Sequence, residues 1–439
     1  MHTLDQYRGT VVACRYCPPP SLARPETLVA LKARFYDAIA RVVLDQTHLQ
    51  VGITGVNSKD PAFVRLDRLD LRNHVDWTSF EDSNHLEPLY LQSMQTQLDS
   101  GYDHLSTRPG WRVIVLHKVG AESMEVLYVW NHPHHDGMSG KIFHQNTKSK
   151  RNGSDSWTLD LPDPSDKLPP NPEILSPWPM TPAFLLKSLW KELKPSWIFP
   201  LHSTHATWAP IQGSPFTTRF RNFMVDNDTV TKVVGACRVH RTTLTGLVQV
   251  LVLVSLTSAL EDMNGFTSKT PYDLRHILPS NTPQYPCLQP KELMFATIRS
   301  KMLARAIDAS LSADIMEIIW SVSARVRREI QARLDSGVRN DLIGIMKLVS
   351  DWRSQQQSEA HKMRYLSWLV NNLGEGWLLR RAELVLSAEV PSAALSVSIM
   401  TVKGGEMCIT CSWQDCTVDL GLGERLMGDL KRWLNETGS

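Results

Sequence analysis

The residue types best suited to chemistry gather in one segment, residues 131–140, directly after the apolar run Val126–Trp130. This histidine segment contains three histidines, one aspartate and two glycines. Loops held by a rigid scaffold often carry catalytic residues, and an imidazole can take a proton from a hydroxyl near neutral pH. His132, Asp136 and Gly137 form His-x-x-x-Asp-Gly, which predicts general-base acyl transfer without a covalent enzyme intermediate. We expect Asp136 to pair with an arginine, and Gly137 to leave the backbone open to substrate.

Two other interpretations fit parts of the histidine segment. His132-x-His134-x-Asp136 begins the metal-binding pattern of metallo-β-lactamase-like hydrolases, since residues i and i+2 of a strand share one face. The final histidine of that pattern is replaced here by Gly137. Alternatively, the histidines are solvated turn residues and Asp136 only caps a helix that starts near Met138. The spacing favours acyl transfer, and we expect no bound metal and no permanently bound cofactor.

The elements around the histidine segment predict an α/β fold. Residues 111–117 and 125–130 read as an antiparallel strand pair, and Pro25 opens a helical pattern. Prolines between 154 and 212 predict an irregular crossover. The chain therefore divides into an N-terminal half (1–165) with the histidine segment, a proline-rich crossover (166–215) and a C-terminal half (216–439). The most apolar stretch, Leu247–Leu260, is too short for a bilayer span of about 20 residues and predicts a buried helix or strand.

Charge and composition exclude several classes of protein. The 47 Lys+Arg nearly balance 45 Asp+Glu, leaving a net charge of +2. This excludes a strongly basic nucleic-acid binder and a highly charged disordered chain. No basic region followed by an apolar stretch opens the sequence, so we expect a cytoplasmic protein without a membrane span.

The cysteines suggest a zinc site only at first sight. Two pairs, Cys14 with Cys17 and Cys408 with Cys411, have Cys-x-x-Cys spacing. Both pairs lie in strand-like segments, where residues i and i+3 point to opposite faces. We therefore expect buried thiols at these positions.

The histidine segment resembles the motif of the chloramphenicol acetyltransferase-like superfamily, which includes condensation domains, plant BAHD acyltransferases and alcohol acetyltransferases. The match runs from His132 to Gly137, with Asn131 in place of the first histidine of the double-histidine form. The Asp-Phe-Gly-Trp-Gly signature of the plant enzymes is absent, and residues 374–377 give only a faint echo of it. The resemblance is therefore to the fungal alcohol acetyltransferase-like branch.

A second segment, Thr270–Pro279, strengthens this resemblance. Its Asp-Leu-Arg is similar to that of the fungal enzymes, where the arginine pairs with the motif aspartate. Carried over, this makes Arg275 the partner of Asp136, with Asp273 as a further structural partner. Two other segments also fit the branch in kind and order: Thr242–Gly246 and Asn371–Gly374.

The resemblance implies two chloramphenicol acetyltransferase-like halves forming a V around a central tunnel, with His132 near its middle. It implies an acyltransferase that moves an acetyl or other acyl group from acyl-CoA, as co-substrate, to a hydroxyl of a small-molecule secondary metabolite or alcohol. We expect a monomer. The alternatives are a donor bound to an acyl carrier protein, a donor-free condensation or cyclisation, a metal-dependent hydrolase, and an inactive binding protein.

Several side chains are weaker candidates for the site. Ser139 could donate to the oxyanion or cap a helix, and Trp377 and Trp413 could line an apolar acceptor pocket. The resemblance adds Asn372 as a substrate-binding candidate. A basic cluster could meet the phosphates of coenzyme A, although a solvated face is the favoured interpretation of it: Lys141, Lys148, Lys150 and Arg151.

Overall fold

A computed structural model describes most of the chain. The described residues are 4, 8–147, 157–163, 172–193, 204–213, 215–276, 278, 288–296, 311–376, 382–386 and 392–437. The strands, numbered in chain order, are β1 Thr10–Tyr16, β2 Val51–Thr54, β3 Ala62–Arg65, β4 Arg68–Asp70, β5 Val75–Phe80, β6 Trp111–Lys118, β7 Met124–Trp130, β8 Thr158–Asp160, β9 Thr218–Val225, β10 Gly265–Asp273, β11 Leu288–Ala296, β12 Trp368–Gly376, β13 Ala382–Leu386, β14 Leu395–Val402 and β15 Met407–Gln414.

The α-helices, numbered in the same way, lie on and between the sheets. They are α1 Leu28–Asp45, α2 Leu86–Asp99, α3 Gly137–Asn146, α4 Pro182–Leu193, α5 Asn227–Val239, α6 Leu244–Ala259, α7 Ala313–Asp335, α8 Leu342–Met346, α9 Trp352–Ala360 and α10 Leu420–Thr437. Within the described ranges, two large sheets have the strand orders β13-β1-β7-β6-β5 and β11-β10-β12-β14-β15-β9. The predicted α/β class and its two halves are confirmed.

The strand that leads into the histidine segment is buried on both faces. All seven residues of β7 are buried, between β1 and β6. Tyr128 and Trp130 belong to one apolar cluster, which α1 and α3 cover, while Leu127 and Val129 belong to another that includes α2. Because helices cover both faces, the strand reads as a continuous apolar run rather than an alternating one.

One strand crosses between the two predicted halves of the chain. β13 comes from the C-terminal half of the chain but pairs antiparallel with β1 in the N-terminal sheet. Its Glu383 is fully buried and accepts hydrogen bonds from the Tyr90 hydroxyl (2.6 Å) and from Asn222 Nδ2 (2.7 Å). A buried carboxylate needs such partners, so this pair of bonds fixes the strand in place.

The apolar stretch in the second half is the buried helix α6. Inside it, Gln249 accepts hydrogen bonds from Ser268 Oγ (2.8 Å) and Trp368 Nε1 (2.6 Å), which ties α6 to the sheet below. In the described part of the chain, no single helix is long and apolar enough to cross a membrane; α5 and α6 reach that length only together, with a 93° bend between them.

Two further expectations are corrected. The crossover contains a regular helix, α4, which starts at Pro182. Proline is tolerated in the first turn of a helix, so a proline inside the stretch that was expected to be irregular opens a helix instead. Cys17 is exposed because β1 ends one residue before it and three prolines follow, whereas the other three paired cysteines are buried: Cys14, Cys408 and Cys411.

Candidate active site

The histidine segment is a tight turn between β7 and α3. The Asn131 amide donates to the Gly110 carbonyl (2.7 Å), and the His134 amide donates to the Asn131 carbonyl (2.9 Å). A side chain at Gly110 would place its Cβ 2.8 Å from His134 Nδ1. A glycine is therefore needed at that position for the turn to pack against the start of β6.

His132 has a defined ring orientation. Its side chain is half-buried, and Nδ1 lies 3.1 Å from the carbonyl oxygen of His135. A carbonyl can only accept a hydrogen bond, so Nδ1 must carry the proton of the neutral ring. The lone pair is then on Nε2, which is the arrangement that a general base requires.

His135 is placed differently, although its type and position make it a rival of His132. Its side chain is buried, and Nδ1 lies 2.7 Å from the Tyr128 hydroxyl. Burial, together with the nearby His48, His134 and Arg275, holds the pKa of His135 well below its ordinary value. The ring is therefore neutral and enclosed, and of the two side chains the half-buried His132 is the better placed to meet a substrate.

Asp136 and Arg275 form the ion pair that joins the two halves at this site. Arg275 Nη2 lies 3.2 Å from Asp136 Oδ2, and the two side chains are only 16% and 4% exposed. Asp273 accepts hydrogen bonds from the Arg275 amide and from Nη1, both at 3.0 Å. The structure thus brings together the three residues expected from the two motifs.

Asp136 also begins the helix. Its Oδ1 accepts from the Ser139 amide and from Ser139 Oγ, each at 2.8 Å, which caps α3. The helix starts at Gly137, one residue earlier than expected. Capping and ion pairing are therefore both present, on the same carboxylate.

Two residues that were predicted to face the substrate, Ser139 and Gly137, make contacts within the protein instead. The single hydroxyl proton of Ser139 is donated to Asp136, so it does not serve as the expected oxyanion donor in this arrangement. A Cβ at Gly137 would lie 3.1 Å from Leu373 Cδ2. The close approach that this glycine permits is therefore to the C-terminal half of the chain.

Asn372 links two segments that the sequence singled out separately. Its Nδ2 donates to Thr245 Oγ1 in the first turn of α6 (3.0 Å), and its Oδ1 accepts from the Gly374 amide (2.8 Å). The pairing of β12 with β14 shifts register between Asn372 and Glu375, and Gly374 has a φ of +64°. The amide thus holds a bulge in β12, which lies beside the histidine segment through Leu373.

Lys141 is buried, contrary to the expected solvated face. On α3, one turn beyond Gly137, its Nζ donates to the Leu373 carbonyl of β12 (2.7 Å). Burial lowers the pKa of Lys141 and nearby Glu375 opposes that shift. The lysine is a second polar contact between the halves, and sequence reasoning missed it because its position resembles the start of a basic run. The other members of that run, Lys148, Lys150 and Arg151, lie outside the described residues.

Replacing Lys141 with methionine should lower the free energy of unfolding by about 1–3 kcal/mol, because the buried Leu373 carbonyl loses its donor. The midpoint of urea unfolding measures this. Lys232→Met, on the exposed face of α5, is the matched control and should change stability by less than about 0.5 kcal/mol. Equal effects of the two substitutions would show that the Lys141 contact does not stabilise the protein.

One of the two tryptophan candidates, Trp413, does not line the site as expected. Trp413 is fully buried in the core of the C-terminal half, where a Cβ at Gly423 of α10 would lie 2.4 Å from its ring. It fills the space between β15 and α10, so it is corrected from an acceptor contact to a core residue. Trp377 lies outside the described residues.

The metal-binding pattern is not assembled. Asp136 is paired with Arg275, and His134 Nε2 lies 3.2 Å from the Val51 carbonyl oxygen. Across the described ranges, no group of three or more His, Cys, Asp or Glu side chains is arranged to hold a metal ion.

Two buried histidines, His48 and His74, predict a loss of stability in acid. Burial lowers the pKa of His74 to about 4, and burial with Arg275 does the same for His48. The unfolded chain, with ordinary histidines near 6.5, therefore binds more protons as pH falls from 6.5 to 4, and stability is lost over that range. Between pH 7 and pH 5 each of the two histidines should cost about 2 kcal/mol.

Urea unfolding at both pH values measures this loss. His74→Gln should show a smaller loss between pH 7 and pH 5 than wild type, by about 2 kcal/mol. His85→Gln, at an exposed histidine, should match wild type. Identical acid losses in all three proteins would contradict the prediction.

Comparisons with known proteins agree with this geometry. Residues 76–285 match the model of the alcohol acetyltransferase family. FCK4 of Fusarium pseudograminearum, described as a probable alcohol acetyltransferase, is 28% identical over 432 residues, covering 92% of this chain and 86% of the relative.

Solved structures share the fold across nearly the whole chain. TRI3 trichothecene 15-O-acetyltransferase from Fusarium sporotrichioides has a TM-score of 0.67 at 12% identity, covering 99% of this chain and 93% of that chain. The first condensation domain of the calcium-dependent antibiotic synthetase has a TM-score of 0.63 at 11% identity, covering 99% and 91%. The chain is therefore similar in sequence to fungal alcohol acetyltransferases, and it shares its fold with acetyltransferases and condensation domains.

Proposed function

We propose that this protein transfers an acetyl group from an acyl-CoA to a hydroxyl of a small-molecule secondary metabolite or alcohol, with His132 as general base. The observation that carries the proposal is the contact between His132 Nδ1 and the His135 carbonyl, which leaves the lone pair on Nε2. The Asp136–Arg275 pair supports it by fixing the turn on which His132 lies.

The reaction needs only one proton carrier. His132 Nε2 removes the proton from the acceptor hydroxyl as the oxygen attacks the thioester carbonyl. The tetrahedral intermediate then collapses, the carbon–sulfur bond breaks, and the leaving thiolate takes the proton back from His132. An ester and free CoA result, and the enzyme returns to its starting state. No step requires a metal ion or a permanently bound cofactor.

The relatives support the class of acceptor. TRI3 is named as a trichothecene 15-O-acetyltransferase, and FCK4 as a probable alcohol acetyltransferase, so both names specify transfer to oxygen. We propose the same bond here, to an acceptor that enters opposite the acyl-CoA. The cytoplasmic location and monomeric state expected from the sequence stay predictions.

Acceptor-dependent release of CoA thiol from acetyl-CoA tests the proposal. Purified protein is incubated with a panel of hydroxylated metabolites, and products are checked by mass spectrometry for one added acetyl group. CoA thiol release that depends on the acceptor and is unchanged by a chelator supports the proposal. No release with any acceptor would favour a carrier-bound donor, a donor-free reaction or an inactive protein, while chelator-sensitive hydrolysis would favour the metal-dependent alternative.

A further inference from the structure

Three hydrogen bonds inside the N-terminal half fix the position of His135. Its carbonyl accepts from His132 Nδ1 (3.1 Å) and also from the indole Nε1 of Trp130 (2.8 Å). Its own ring nitrogen Nδ1 bonds the Tyr128 hydroxyl at 2.7 Å. One residue therefore orients His132, and two side chains of β7 fix that residue.

The two β7 side chains are themselves rigid. Tyr128 and Trp130 are fully buried and, two residues apart on a strand, lie on one face. The Tyr128 ring stacks on Phe143 of α3, with centroids 3.8 Å apart and planes at 11°. A Cβ at Gly140 would lie 2.5 Å from the Trp130 ring, so α3 packs directly against the indole. Neither side chain has room to shift without moving α3.

We propose that Tyr128 and Trp130 are positioning residues for the reaction: by clamping His135 they aim the carbonyl that sets the tautomer and direction of the His132 ring. The inference rests on the proposed function of His132. A histidine ring turns easily about its terminal torsion, and an acceptor fixed at Nδ1 removes that freedom. Misplacing a catalytic group by about 1 Å can cost about 100-fold in rate, so a loosened carbonyl should lower kcat more than substrate binding.

Tyr128→Phe is the main variant because it removes one hydroxyl and keeps the stacked ring. We expect kcat to fall by about 10- to 100-fold while the KM for acyl-CoA changes by less than about twofold. Trp130→Phe, which removes the indole donor from the same carbonyl, should lower kcat in the same way.

Tyr90→Phe is the matched control. It also removes a buried hydroxyl, the one bound to Glu383 at 2.6 Å, so it should lower thermal stability while leaving kcat unchanged. If Tyr128→Phe keeps the wild-type kcat, or if Tyr90→Phe lowers kcat as much, the two β7 residues do not position His132.

A second readout does not depend on turnover. Nitrogen-15 NMR of histidine-labelled protein, with His132 identified by its loss in His132→Gln, reports which ring nitrogen carries the proton. We expect the Nδ1–H tautomer in wild type and in Tyr90→Phe, and a mixture in Tyr128→Phe. The Nε2–H tautomer in wild type, or an unchanged ring in Tyr128→Phe, would overturn the positioning role. Because this measurement needs no substrate, it decides the inference even where no acyl transfer is detected, an outcome that would contradict the proposed function alone.

Discussion

Replacing His132 with alanine should lower kcat for acyl transfer by about 10²- to 10⁴-fold, the range that a general base contributes. The loss belongs to the chemical step, because Nε2 of this ring is the proposed proton acceptor and Nδ1 is already bonded to the His135 carbonyl. The fold should survive, since His132 is only half-buried and its Nδ1 bonds the backbone of its own turn. The rate of CoA thiol release under saturating substrates measures the effect, and circular dichroism checks the fold.

Two comparisons make this result specific to His132. His85→Ala, at an exposed histidine remote from the turn in sequence, should keep the wild-type rate. His135→Ala should reduce both rate and stability, since it leaves the buried Tyr128 hydroxyl without its partner. An active His132→Ala beside an inactive but folded His135→Ala would move the base to His135 and contradict the assignment.

The ion pair and the turn could be predicted from sequence because their signals are local and specific. His132, Asp136 and Gly137 lie within six residues, and Arg275 sits in a short segment of its own. A buried strand directly before the turn fixes where these side chains emerge. The pairing across 139 residues came from the resemblance, and the geometry of the two halves then agrees with it.

The remaining site contacts could not be predicted because they depend on which segments meet in space. Lys141 looks like any helical lysine until β12 brings the Leu373 carbonyl to it. Ser139 has the right type for an oxyanion donor, but capping geometry commits its proton to Asp136. Trp413 is of a residue type that can line an apolar pocket. Only the close approach of Gly423 to its ring shows that it fills the core instead.

Strand β13 shows the same limit at the level of the fold. Its sequence, Ala-Glu-Leu-Val-Leu with a buried Glu383, gives no indication that it leaves the C-terminal half to pair with β1. The partners of that carboxylate, Tyr90 and Asn222, come from both halves. Long-range pairing of this kind has no local signature, so a division of the chain by sequence position gives no information about which sheet the strand joins.

Replacing Asp136 with alanine should lower the free energy of unfolding by about 3–5 kcal/mol, because the mostly buried Arg275 guanidinium loses one of its two carboxylates and keeps only Asp273. Part of this loss is the cap of α3, for which a substitution to alanine costs about 0.5–2 kcal/mol. Asp136→Asn separates the two effects, since an asparagine side chain can still cap the helix but carries no charge. Urea unfolding of both variants measures the difference.

The exposed pair Arg68–Asp160, at 2.7 Å with side chains 74% and 81% exposed, is the matched control for this loss. Asp160→Ala should change stability by about 0–1 kcal/mol, as surface pairs do. In Asp136→Asn/Arg275→Met both charges of this pair are removed together. The double variant should be more stable than the sum of the single losses implies, because the broken pair is then counted once, while Asp273 loses Arg275 in the Arg275→Met single variant and in the double variant alike. Strictly additive losses, or an Asp136→Ala variant no less stable than Asp160→Ala, would show that this ion pair does not hold the two halves together at the site.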